Sequence, residues 1–138
     1  MKYILLCLCC VTLSSFAQKL DLQAKKQVVI GSGGGFSGAI KEYILLENGY
    51  LYQRELPKDT TFQIRVLYRS TAKKYFTKLI QLSLKRRKFD NPGNVYYYVE
   101  QYDSPKQKYR VTWGSATPPR DVKAFYDDFI RNLIPKKK

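Results

Sequence analysis

All three cysteines of this chain, Cys7, Cys9 and Cys10, fall within its first ten residues, and histidine is absent from all 138. The stretch that holds them reads as an export signal. Lys2 gives it a charged start, an apolar run follows from Tyr3 to Val11, and Ser15-Phe16-Ala17 sets small residues at the −3 and −1 positions of a signal-peptidase site. Cleavage after Ala17 divides the sequence into a signal peptide, 1–17, and a single domain, 18–138. That domain has no thiol and no imidazole, so neither a disulfide nor a cysteine or histidine metal clip can hold it. A hydrophobic core and strand pairing must do so. The apolar run of the signal is about half of the roughly 20 residues that span a bilayer. The cysteines follow Leu6, Leu8 and Cys9, not the small residue that lipidation would require. A soluble protein, secreted or periplasmic, is expected.

The seven Phe and twelve Tyr supply the core, and most lie in periodic segments. Gln27–Ile30 is a short apolar run that stops at glycine and reads as a first strand. Ile40–Glu47 and Tyr50–Glu55 flank Asn48-Gly49, a dipeptide suited to a two-residue hairpin turn. Phe62–Tyr68 is ambiguous between an edge strand and an extended lead-in. Ser70 or Thr71 can cap a helix over Thr71–Lys85 whose inward face carries Ala72, Phe76, Leu79, Ile80 and Ser83. Tyr96–Tyr102 and Lys108–Trp113 alternate as strands, with Tyr97 and Val99 sharing one face and Tyr109, Val111 and Trp113 sharing another, joined by a turn at Asp103–Lys106. Thr117 as cap and Pro118 at the first helical position open a last helix, Pro118–Leu133, striped by Val122, Phe125, Tyr126, Phe129, Ile130 and Leu133. The expected fold is α+β: an antiparallel sheet of four to five strands with two helices packed on one face.

Lys and Arg number 25 against 11 Asp and Glu, a formal charge of +14. Loss of Lys2 with the signal leaves about +13. The densest cluster, Lys85-Arg86-Arg87-Lys88, suits the negative pole of a helix dipole and is also a candidate contact for an anionic envelope polymer or membrane surface. Nucleic acid is not an expected partner, because Tyr96-Tyr97-Tyr98 lacks the surrounding glycines of an RNA-recognition strand.

Catalytic patterns are missing. Serines have no histidine to act as base, and the acidic residues sit at turns, at a helix start or on the polar side of the last helix. No dense acidic loop is present to bind a metal. Gly33, Gly35 and Gly38 formally satisfy G-x-G-x-x-G, but the segment that follows is too short for the helix that would hold a pyrophosphate, and Ala39 and Ile40 stand where a P-loop needs Lys and Ser/Thr. No cofactor, no metal and no enzymatic activity are expected. The loop Gly33-Gly34-Gly35-Phe36-Ser37-Gly38 instead offers backbone able to approach a surface closely, with one large side chain, and is the candidate protein contact.

The order of GGGFSG, an Asn-Gly hairpin, a helix, PGNVYYYV, a strand ending VTWG, Thr117-Pro118-Pro119 and a terminal amphipathic helix resembles emfourin, a small protein inhibitor of thermolysin-like metalloproteases. The resemblance runs from Val28 to Ile134. It implies an α+β binding protein whose partner is an extracytoplasmic metalloprotease. The chain differs in its export signal, in extra residues around Leu56–Ser70 and in its high positive charge.

Overall fold

The structure, a computed structural model, describes Leu22 and residues 25–136. The signal expected over residues 1–17 lies outside them. The described chain is α+β, as expected, but its sheet has seven strands rather than four or five. They are β1 (Gln27–Gly34), β2 (Ile40–Leu46), β3 (Tyr50–Leu56), β4 (Thr60–Val66), β5 (Asp90–Asn91), β6 (Val95–Ser104) and β7 (Gln107–Trp113), ordered β4-β3-β2-β1-β6-β7-β5. All pairings are antiparallel except that of β5 with β7. Helices α1 (Arg69–Gln81) and α2 (Arg120–Leu133) follow β4 and β7.

Both helices cover one face of the sheet. Val28, Ile30, Leu45, Leu51, Val99, Val111 and Trp113 from the strands meet Ala72, Tyr75 and Leu79 of α1 and Val122, Phe125, Phe129 and Leu133 of α2. Tyr75 sets its ring edge-on to Phe125 and Phe129, with centroids 6.0 and 5.5 Å away. That packing turns α1 from the expected face: Phe76 is only partly buried, Ile80 is exposed, and Tyr75 takes the inward place. The helix also starts earlier than expected, at Arg69 after an extended Tyr68, and neither Ser70 nor Thr71 caps it. Helix α2 begins at Arg120, not Pro118, since Pro119 disfavours helical backbone at the residue before it and is itself extended.

The turn at Asn48-Gly49 is a hairpin, as expected, but longer than two residues: Gly49 takes φ of +96° and Leu46 accepts from its N–H at 3.0 Å. Asn48 Oδ1 accepts from Tyr50 N, which fixes the corner. Strand β4 is a true edge strand, with a bulge opposite Leu51 and Tyr52 that sets Ile64 against the core. The bulge breaks the alternation that would have marked it.

The largest departure is in β1. Glycine does not stop the strand; the ladder runs on through Gly31, Ser32, Gly33 and Gly34, paired with β6 throughout and with β2 as far as Gly33. On the face away from the helices, the Tyr98 ring lies over Gly31 and the Tyr96 ring over Gly33, where a Cβ would meet the Tyr96 hydroxyl at 2.7 Å. The rings supply the apolar cover that the glycines lack.

Candidate functional site

The six residues Gly33–Gly38 do not form one loop. Gly33 and Gly34 belong to β1, and only Gly35, Phe36, Ser37 and Gly38 make the tip between β1 and β2. Gly34, Gly35 and Gly38 adopt φ of +95°, +73° and +61°, the left-handed region where a side chain is strained, so the tip's shape depends on them. Two ties hold it: Gly35 N donates to Asn94 O at 2.7 Å, and Ala39 N donates to Ser37 Oγ at 3.3 Å. Phe36 stands at the apex with its ring fully in solvent.

Beneath the tip a groove of about 460 Å³ opens at the end of the sheet, bounded by Gly34, Ala39, Leu56, Pro57, Lys58 and Val95. Its floor follows from register. Ser32 pairs with both Lys41 and Tyr97, and Lys41 pairs with Glu55, so these four form one row across β6, β1, β2 and β3. Tyr97, the one aromatic residue of the groove, joins it to a neighbouring aromatic cluster. Tyr97 stacks on Trp113 at 6.1 Å, and Tyr126 of α2 packs edge-on to both at 5.8 and 5.2 Å. Burial, with the nearby Tyr97 and Tyr43 hydroxyls, pushes the Tyr126 hydroxyl up to about 12, although its bond with Ser32 works the other way. The groove's charged side chains are Lys41, Lys58 and Glu55.

The basic cluster is also divided. Helix α1 ends at Gln81, Ser83 takes φ of +52°, and Lys85 and Arg86 lie in a short 3-10 turn rather than at a helix end. Arg87 turns inward, donating to Leu82 O at 2.7 Å and pairing with Asp121. Lys85 lies 5.8 Å from the centre of the Tyr109 ring, while Arg86 and Lys88 are exposed. Lys85 of this cluster lies beside Tyr109 on β7, and none of the cluster's four residues lines the groove. The structure does not bring the two candidate contacts together.

A polar network on the opposite face was not foreseen. Tyr98 reaches across Gly31 and donates to Glu42, which also pairs with Arg54; Arg110 lies 4.0 Å above the Tyr98 ring and pairs with Glu100 at 2.7 Å. Glu42 is 3% exposed and Glu100 7%. Burial, then Glu42, drives the Tyr98 hydroxyl far above the ordinary tyrosine range. The signal lay in two hairpins, each carrying a Glu and an Arg opposite one another: Glu42 with Arg54, and Glu100 with Arg110. Each pair lies among apolar residues of the same face. Such a network favours this register of the strands that carry the tip, because a one-residue slip would separate its partners. Among the described residues no group of three or more acidic side chains is placed to hold a metal ion.

In comparison with known proteins, no family model matches the chain, and no curated protein matches it.

Proposed function

We propose that this chain is an exported, non-enzymatic binding protein that inhibits a thermolysin-like metalloprotease by presenting the β1–β2 tip to its cleft. The observation that carries the reading is Phe36, a large apolar ring wholly in solvent on a tip shaped by three left-handed glycines and tied at its base. A ring held out in this way costs hydration in the free protein and gains it back only in a complex. An aromatic anchor on a preorganised turn loses little entropy on docking, the usual character of an interface hot spot. The groove beneath accepts whatever flanks the cleft. The resemblance to emfourin gives the class of partner.

The test is residual activity of a thermolysin-like protease against increasing inhibitor. The exported protein should inhibit without being cleaved. Phe36→Ala should weaken inhibition by at least about tenfold, or about 1.4 kcal/mol, with an unchanged melting temperature. Full inhibition by the variant, or none by the parent, would remove the reading. A second reading, an electrostatic adaptor for an anionic envelope polymer or membrane surface, is favoured by one observation: among the described residues, only Arg87 of Lys85–Lys88 forms an ion pair. Binding of that kind falls steeply with salt, whereas the tip's should not.

A further inference from the structure

The sheet has two edges, and they are unequal. One is β5, of two residues; the other is β4, seven residues long and hydrogen-bonded to β3 on one side only among the described residues. Natural edges are blunted by charge, proline or a bulge; Thr60–Val66 has no lysine or proline, and its one bulge and Arg65 leave Thr60–Gln63 in regular register. Of the eight large hydrophobic residues that are exposed among the described residues, four gather here: Phe62 and Val66 on β4, Tyr50 paired with Val66, and Tyr68 just beyond.

We propose that the β4 edge is a strand-addition site for an extended segment of a partner protein, alternately acidic and apolar. This does not rest on the protease reading. Between β4 and α1 lies a cavity of about 350 Å³ lined by Arg65, Val66, Tyr68, Thr71, Lys74 and Lys78. Arg65 is engaged with the last carbonyls of α2, at 3.1 and 3.2 Å, and Lys78 with Asp128 at 3.0 Å. Burial works against the Asp128 charge, but its bonds from Lys78 and Tyr75 outweigh it and hold the carboxyl below its ordinary range. Lys74 is exposed and pairs with no carboxylate among the described residues, so the cavity keeps a positive charge. A strand added at this edge sends alternate side chains to opposite faces. Carboxylates on one side reach Lys74, and apolar groups on the other meet Val66 and Tyr50. A second copy of this chain fits poorly, because Thr60–Val66 offers no carboxylate to meet Lys74 and each molecule without the signal carries about +13.

The probe is an acetylated, amidated hexapeptide alternating Glu and Val, with a Lys-Val counterpart and a Glu-Val version N-methylated at every second amide. With the exported protein, the Glu-Val peptide should shift the amide resonances of Thr60–Val66. It should bind at least about tenfold more tightly than the Lys-Val peptide, and N-methylation should abolish binding. Lys74→Glu should weaken binding about fivefold and Val66→Lys should remove it. Both positions are exposed, so thermal melts should be unchanged. The proposal is overturned by shifts elsewhere or none, by equal affinity for the Lys-Val peptide, by tolerance of N-methylation, or by a concentration-dependent dimer that shifts the same amides.

Discussion

Replacing Gly31 by alanine tests how the centre of the sheet is built. Gly31 does not have positive φ, so its backbone accepts a side chain without strain. By backbone entropy alone, alanine in a strand should gain about 0.5–1 kcal/mol over glycine. The surroundings reverse the sign. A methyl group here would fall within the Tyr98 ring, against Cζ, Cε1 and the hydroxyl. Overpacking of a closed site costs about 1–3 kcal/mol. A ring pushed aside also withdraws its hydroxyl from Glu42, a hydrogen bond to a buried charge worth about 1.5–3 kcal/mol. Gly31→Ala should therefore destabilise by about 2–5 kcal/mol, read as a lower urea midpoint at unchanged slope. In a Tyr98→Ala background the same substitution should be neutral or stabilising, and the difference is the coupling between the two residues. A Gly31→Ala midpoint equal to or above the parent's would refute the reasoning.

Alkaline titration should separate the tyrosines. Burial, chiefly, lifts Tyr75 and Tyr126 from 10.0 to about 12, and Tyr98 is driven further by burial and Glu42. These groups are raised in the folded state, so their stabilisation is complete below about pH 10 and is lost as the pH climbs through their folded values. Tyrosinate absorbance should rise in at least two stages, the later accompanying unfolding; a single stage near pH 10 would contradict the packing. Within the basic cluster, Arg87→Ala should cost about 1–2 kcal/mol through its bonds to Leu82 and Asp121, whereas Lys88→Ala should change stability by less than about 0.5 kcal/mol. Chemical denaturation of the two variants decides it, and equal effects would mean that Arg87 is not structural.

The hairpin at Asn48-Gly49, the shared faces of β6 and β7 and the stripe of α2 were legible because turn chemistry and periodicity are local. What escaped the sequence depended on residues far away in the chain. Gly31 and Gly33 looked like a strand's end until Tyr98 and Tyr96, contributed by β6, took the place of their missing side chains. Strand β4 has one bulge and mostly exposed residues, which erases alternation. The face of α1 was misjudged because Tyr75 answers to Phe125 and Phe129 on the other helix. The candidate site was visible as composition, six residues rich in glycine around Phe36. Its division into ladder and tip was not, since the end of pairing is set by Val95 on β6.

Strand β1 lies in the middle of the sheet although it comes first among the strands in the chain. It binds β2 through a short hairpin, yet on its other side Gln27 pairs with Tyr102 and Gly34 with Val95. As the chain folds, β1 to β4 can align by successive nearest-neighbour turns while one whole side of β1 stays unclosed. Closing that side is a single loop-closure event spanning most of the domain, of the kind that slows folding. The strand that carries the exposed tip is thus only half paired until β6 has been made, and the tip gains its tether to Asn94 in that same step.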